Sequence, residues 1–440
     1  MGLFTFHGGI HPYDGKELTK GCAVRTLHAG DNLYYSLAQQ IGAPAVPLVH
    51  KGDHVLRGQM LAKAGGYVSA PLHASVSGTV VGIQRMWMPS GTSADCIVVA
   101  NDKLMEEVEY PPAEDFDTLN KEKILSRIRD AGIVGMGGAG FPTHVKLSPE
   151  NPGKIEYILV NGAECEPYLT SDYRRMLEEP EKIVEGLRII LKLFPKAKGY
   201  ICIEDNKMDC ARMLEPLCRK TNLEVKLLRT KYPQGAERML IHAVTGRKIN
   251  SSMLPADVGC IVDNVDTVVA VEEAVLQGKP VLERDITVTG DAVKTPQNFR
   301  VPIGMLIEEV VEQAGGFTGN PEKIIAGGPM MGNALFMLNV PVVKTSSAIV
   351  ACKKDQVAEN APSACINCGR CVAACPGQII PARLAAFSDR GDEENFLKYH
   401  GMECCECGCC SYVCPAKRQL TQSIRSMRKL LLSKQKKGQD

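Results

Sequence analysis

The stretch "GIVGMGGAGFPTHVK" at residues 132–146 places five glycines in its first nine positions and ends on a lysine. Gly135, Gly137 and Gly140 satisfy the dinucleotide pattern G-x-G-x-x-G, which has meaning only between a strand and the start of a helix. Here the preceding TLNKEKILSRIRDAG carries Leu119, Ile124, Leu125 and Ile128 at helical spacing, and Pro142 follows two residues after the last glycine. A helix therefore enters the loop, and an ordinary Rossmann phosphate turn does not fit. What remains is a loop with unhindered backbone N–H groups for an anionic or flat ligand, with Lys146 placed to add a cation near a phosphate or a flavin ring.

Downstream of this loop, β-like and helical runs alternate: KIEYILVN, EKIVEGLRIILKLF, KGYICIEDN, MDCARMLEPLCRK, LEVKLLRT and AERMLIHAVTG. Such alternation predicts an α/β domain with a mainly parallel sheet. The segment "NGAECEPYLTSDYRRM", residues 161–176, directly follows the first of these strands, so Asn161, Glu164 and Glu166 fall at a strand's carboxyl end, where α/β proteins bind ligands. Two acids and an amide there suit ribose hydroxyls or a flavin pyrimidine, and they suit helix capping equally well.

Upstream, residues 46–83 read as short strands punctuated by KGD, RGQ, AGG and SGT, a small β-domain. GDHVLRGQ and ASVSGTVVGI resemble the barrel-sandwich of biotinyl and lipoyl carriers. The matching hairpin tip at Val76–Gly78 has no lysine, which argues against a swinging arm. Pro111-Pro112 and the acidic AEDFD read as a linker. Residues 285–328 offer two strands, a helix and a strand, a compact α+β unit of the β-grasp kind.

Ten of the 18 cysteines fall between Cys365 and Cys414. CINCGRCVAACP sets Cys365, Cys368, Cys371 and Cys375 in the run C-x2-C-x2-C-x3-C-P, and CCECGCCSYVCP repeats it with Cys404, Cys407, Cys410 and Cys414. Three thiolates on one tight loop wrap three corners of a [4Fe-4S] cluster, while the cysteine before proline serves the other cluster. Cys414 thus pairs with the first cluster and Cys375 with the second. Zinc ribbons and a redox dithiol are the competing readings, and two complete runs disfavour both. The 28 residues between Cys375 and Cys404 look helical, so a helical variant of the two-cluster fold is expected. Cys202, Cys218 and Cys260 are expected to be buried small hydrophobes.

Composition sets bounds on these readings. The chain has 440 residues, 51 basic against 50 acidic side chains and one tryptophan, which predicts several domains and argues against nucleic-acid binding. Ligand-like cysteine spacing points to a reducing compartment. No segment supplies the ~18 apolar residues that a membrane span needs, so a cytoplasmic protein with at most peripheral membrane contact is expected. The tail LTQSIRSMRKLLLSKQKKGQD puts Leu420, Ile424, Met427 and Leu431 on one helical face, either for a membrane surface or partner, or for packing on the cysteine-rich domain.

GMGGAGFPTHVK, NGAECEP and NVDT at 264–267 resemble the FMN- and NADH-binding subunit of respiratory complex I, which has Asp where this chain has Ala163 and Gly where it has Cys165. With FHGGIHP at 6–12, the lipoyl-like segment, the β-grasp unit and two ferredoxin runs, residues 4–415 resemble the RnfC family of Rnf electron-transport complexes. The resemblance implies a multidomain α/β and α+β protein. Its parts are an N-terminal region with a barrel-sandwich (1–112), an FMN/NAD(H)-binding Rossmann-like α/β domain (113–280), an SLBB β-grasp domain (281–350), a two-cluster [4Fe-4S] ferredoxin domain (351–416) and a basic tail (417–440). It implies non-covalent FMN held by Gly135, Gly137, Gly138, Ala139, Gly140, Lys146, Asn161, Glu164, Asn264 and Thr267. NAD(H) would lie by Phe141 and Glu166, with Gln234 and Glu237 as further nucleotide contacts. The implied role is that of a peripheral subunit on the cytoplasmic side of the membrane, working with RnfA, RnfB, RnfD, RnfE and RnfG. It would pass electrons between ferredoxin-derived clusters and NAD+ while the complex moves Na+ or H+. No side chain need act as acid or base, because hydride transfer to a flavin depends on positioning. A cobalamin reductase of bacterial microcompartments and a non-enzymatic electron-transfer adaptor are the alternatives.

Overall fold

The computed structural model describes residues 2–111, 115–219, 221 and 223–437. Residues 112–114 of the expected linker, and Lys220 at the end of the run MDCARMLEPLCRK, lie outside the described residues.

Short β-runs in the N-terminal region form two sheets. One orders Asn32–Ser36, Ser93–Asn101, Gly78–Trp87 and His54–Val55, and the other joins Val46–Pro47, Met60–Lys63 and Leu72–His73. Residues Leu33, Tyr35, Leu61, Leu72, Ile97 and Val99 point inward and are buried. This core runs on without a break into the next domain through Ile124, Ile128 and Ile158.

That domain is a four-stranded parallel sheet in the order Glu224–Leu228, Lys198–Glu204, Tyr157–Gly162, Cys260–Asn264. Its strands are runs of Ile, Val and Leu, as expected of strands covered on both faces. Helices Pro180–Leu193 and Val265–Gln277 pack together on one side. Proline opens the first of them and Gly278 in the left-handed conformation closes the second. The chain builds outward from Tyr157–Gly162 in one direction and then returns to add Cys260–Asn264 on the other flank. The crevice between those two strands is therefore the topological switch point, where open α/β sheets bind ligands.

The β-grasp unit centres on the antiparallel pair Glu283–Thr289 and Gln297–Pro302 with helix Ile307–Gln313 over it. Its sheet also takes in Ala348–Cys352, and Arg25–Thr26 from the N-terminal region. Among the described residues beyond Cys352 there are helices and turns but no strands. Arg370–Ala374, Pro381–Asp389, Glu393–Lys398, Cys409–Tyr412 and Leu420–Lys437 surround a core that contains both cysteine ligands and aliphatic side chains. The expected helical variant of the two-cluster fold is what forms.

Candidate functional site

The glycine loop is a tight hairpin set between helices Lys121–Asp130 and Thr143–Lys146. Gly135 N–H donates to Phe141 O at 2.9 Å, and Val134 bridges to Pro142. Gly137, Gly138 and Ala139 lie exposed at its tip, and a side chain at Gly138 would meet open space. Gly140 holds φ +76°, where an added Cβ would come within 2.9 Å of Thr345.

The loop lies over the switch point. Met136 N–H donates to Thr267 Oγ1 at 3.0 Å, and a Cβ at Gly137 would meet the Asn264 side chain at 2.7 Å. In the sheet register Asn264 is opposite Asn161, so the two amides sit side by side at the carboxyl ends of neighbouring strands. Asn264 caps its own helix through Asp266 N–H and donates to Asp172 at 2.7 Å. Asn161 donates to Gly235 O at 2.8 Å and accepts from Ala163 N–H. Lys146 Nζ donates to Val262 O and to Asp263 Oδ1, both at 2.8 Å. Gln234 is fully buried, yet neither polar atom of its side chain has a partner, and Asp263 Oδ2 is also unpaired. A buried amide without partners is costly unless a ligand or water completes it. Open glycine N–H groups, a lysine and these orphaned polar atoms around one crevice fit a bound flavin nucleotide.

The remaining expected residues have other partners. Glu164 lies at φ +43°, accepts from Asp172 N–H at 2.7 Å at the start of helix Ser171–Glu178, and faces Lys16 Nζ at 3.8 Å. Glu166 accepts from Met330 and Met331 N–H at 3.2 and 2.9 Å, which ties this turn to the β-grasp domain. Burial pushes its carboxyl up to about 7, against the pull of those two N–H groups. Phe141 is half-buried at the base of the loop, and Glu237 is exposed at the start of helix Glu237–Thr245. Lys16 and Lys207 are buried and donate to the carbonyls of Leu169 and Ala163, bracing the turn from below. Sequence reasoning passed over both, and nothing in their local spacing marks them.

Cys375, Cys404, Cys407 and Cys410 line one cavity, so the cysteine before proline in the first run faces the three of the second. For the other set, Ser363 N–H donates to Ala416 O at 2.9 Å, drawing the chain ahead of Cys365 beside the chain that follows Cys414. Gly369 and Gly408, at φ +73° and +81°, turn the two loops into their short helices. Among the described residues, no three candidate ligands converge closely enough for a single metal ion. Thiols spread around a cavity suit a cluster with an iron at each corner. Cys202, Cys218 and Cys260 are buried in aliphatic surroundings, as expected.

The flavin crevice and this cavity are neighbours. Gly235 N–H donates to Cys165 Sγ at 3.2 Å, Tyr232 OH donates to Cys407 O at 2.7 Å, and Cys165 and Tyr232 share an apolar cluster with Cys405, Cys407 and Cys409.

An α/β flavin crevice joined to a two-cluster cysteine domain, with a barrel-sandwich and a β-grasp unit attached, defines the class: a flavin- and iron–sulfur-binding electron-transfer protein. Residues 4–104 match the family described as the RnfC barrel sandwich hybrid domain and 128–273 the Nuo51 FMN-binding domain. Residues 286–334 match the SLBB domain and 364–417 the 4Fe-4S dicluster domain. The chain is 43% identical, over 97% of its length and 94% of the relative's, to the RnfC-type protein of the proton-translocating ferredoxin:NAD(+) oxidoreductase complex of Clostridium ljungdahlii. It is 41% identical, over 99% and 98%, to the equivalent protein of the Na(+)-translocating complex of Acetobacterium woodii. The equivalent protein of the ion-translocating oxidoreductase complex of Pseudomonas aeruginosa is 38% identical over 91% of this chain and 52% of its own. The chain belongs to this family, the RnfC proteins of the ion-translocating ferredoxin:NAD(+) oxidoreductase complexes. Its fold also resembles that of a chain of an NAD+-reducing [NiFe]-hydrogenase, with a TM-score of 0.51 and 22% identity over 64% of this chain and 54% of that one.

Proposed function

We propose that this chain passes electrons between NAD(H) and two [4Fe-4S] clusters through non-covalent FMN, as a subunit of an ion-translocating ferredoxin:NAD+ oxidoreductase complex. The observation that carries this reading is the adjacency of the flavin crevice to the cluster cavity, through Gly235, Cys165, Tyr232 and the Cys407 loop. A bound flavin supplies the exchange between a two-electron hydride and one-electron centres. The protein's part is to bind and to position. Gly135, Gly137, Gly138, Ala139 and Gly140 offer backbone to the flavin nucleotide, Asn161, Asn264 and Thr267 line its crevice, and Lys146, with Asp263 behind it, sets the charge. Glu164 serves this cradle by holding the start of helix Ser171–Glu178. Phe141, Glu166, Gln234 and Glu237 border the space where the nicotinamide nucleotide would lie. Cys365, Cys368, Cys371 and Cys414 hold one cluster, and Cys375, Cys404, Cys407 and Cys410 the other.

Among the described residues no helix is long and apolar enough to cross a membrane, which supports peripheral attachment on the cytoplasmic side to membrane partners. Membership of the family supports RnfA, RnfB, RnfD, RnfE and RnfG as those partners, with ferredoxin as a more distant one. The test is an anaerobic absorbance spectrum of the chain carrying FMN and both clusters, before and after NADH. Bleaching of the flavin bands together with the broad iron–sulfur absorbance is expected. Clusters that respond to dithionite beside a flavin that ignores NADH would favour the electron-transfer adaptor.

A further inference from the structure

The N-terminal segment FHGGIHP is absorbed by neither the flavin crevice nor the cysteine ligands, yet it touches both domains. Just ahead of it Phe4 joins the edge of the parallel sheet: its N–H donates to Leu227 O at 3.0 Å, and its carbonyl accepts from Arg229 N–H at 2.9 Å. Phe6 and Ile10 are then buried, and Lys231 lies over the Phe6 ring while donating to Phe6 O at 2.6 Å. Ile10 and Tyr232 exchange both backbone hydrogen bonds, at 2.8 and 2.9 Å. Between these two anchors, Gly9 N–H donates to Ala374 O at 2.9 Å. Gly8 packs so tightly on the same peptide that an added Cβ would stand 2.8 Å from Cys375 O. Gly8 and Gly9 hold φ +81° and +80°, so the close approach and the backbone turn both call for glycine.

Each end of this strap meets something that matters for electron transfer. Cys375 lines the second cavity as its cross-ligand, and Tyr232, whose hydroxyl holds Cys407 O, belongs to the loop that leads to Gly235 and the flavin crevice. We propose that residues 6–12 form a positioning strap that holds the Ala374–Cys375 peptide against the Tyr232 loop, and so sets the separation between the flavin and the second cluster. This rests on the reading that Cys375 completes that cluster. The step it serves moves one electron, with the reduced flavin oxidised by one electron and the cluster reduced by one, and nothing else is consumed. Residues 6–12 are thus positioning residues that do not touch the cofactors.

The test uses the full chain loaded with FMN and both clusters. Pulse radiolysis delivers an electron without NADH, and the phase in which absorbance passes between flavin and clusters gives the intramolecular rate. Gly8→Val presses on Cys375 O, whereas Ile10→Ala loosens the Tyr232 side and leaves the cysteine peptide untouched. Both are expected to slow that phase by on the order of tenfold or more, the scale on which a displacement of about 1 Å acts. Iron content, bound FMN and the dithionite-reduced spectrum should stay as in the unsubstituted chain, and His7→Ala, at an exposed side chain, should keep the rate. An unchanged rate in both strap variants overturns the proposal. So does a loss of iron that matches the loss of rate, because the strap would then only hold the cluster in place. Mixing the same proteins with NADH separates the two readings. Failure of NADH to reduce the flavin in the unsubstituted chain would sink the proposed function and leave the pulse result to decide the strap.

Discussion

At the scale of single residues, the flavin crevice depends on what is absent as much as on what is present. A Cβ at Gly137 would fall 2.7 Å from the Asn264 side chain, although the backbone at Gly137 is not in the left-handed region. Gly137→Val is therefore expected to leave the fold intact and fill the cradle. FMN fluorescence titration should show an affinity at least about tenfold weaker, equivalent to about 1.4 kcal/mol. Lys146 has a second duty besides facing the ligand. Its ammonium is the partner of Asp263, whose side chain is completely buried. Removing one member of such a pair strands the other, so Lys146→Met should cost about 3 kcal/mol in urea unfolding of the FMN-free chain. Lys146→Met combined with Asp263→Asn should recover most of that loss, whereas neither protein should regain FMN affinity.

At the scale of elements, the C-terminal helix Leu420–Lys437 shows how a pattern acquires meaning only from its surroundings. Leu420, Ile424, Met427 and Leu431 are buried against Leu384, Phe387 and Phe396, in the same core as Cys371, Cys375 and Cys410. Its arginines reach the second cysteine loop: Arg425 and Arg428 both pair with Glu406, between Cys405 and Cys407. Of the two roles that the sequence allowed for this tail, packing on the cysteine-rich domain accounts for its apolar face. Ile424 is fully buried, so Ile424→Ala should lower the stability of that domain by about 2–5 kcal/mol. Following the loss of cluster absorbance through a urea titration would show this as a lower midpoint, with the flavin bands following at higher urea.

At the scale of the whole molecule, three domains meet at one buried lysine. Lys344 follows the β-grasp loop and donates to Pro71 O in the barrel-sandwich and to Gly132 O at the start of the glycine loop, both at 2.7 Å. Its own N–H donates to Gln39 at 2.9 Å. Burial lowers its amine from the ordinary 10.5 to about 7. The folded chain therefore prefers the neutral amine. This contribution is fully present above about pH 10.5 and is lost as pH falls to about 7, because over that window only the unfolded chain takes up the proton. His73, the other titratable group beside it, is pushed down to about 3 by burial and by Lys344, well below this window. Chemical unfolding at pH 7 and pH 9.5 should show the chain gaining stability upward, by at most about 1.4 kcal/mol per pH unit. Lys344→Met should flatten that gain while lowering stability at both pH values, since two carbonyls lose their donor.

The sequence alone determined what depends on residue type and short spacing. Two cysteine runs define two clusters because thiolate geometry is local. The helix ahead of Gly132 excludes a Rossmann turn because periodicity is local, and the alternation of β and helical runs makes the α/β domain and its parallel sheet legible. Tertiary structure decided what depends on residues distant in the chain. Asn161 and Asn264 become neighbours only because the sheet reverses its order at Tyr157–Gly162. Glu164 and Glu166 read as ligand-grasping acids, yet their carboxylates accept hydrogen bonds from Asp172 and from Met330 and Met331. The burial of Gln234, the contact from Cys165 to the cluster loop and the grip of Gly8 and Gly9 on the Cys375 peptide carry no local signature. Spacing can say that a side chain must be satisfied, but only the packing of distant segments supplies its partner.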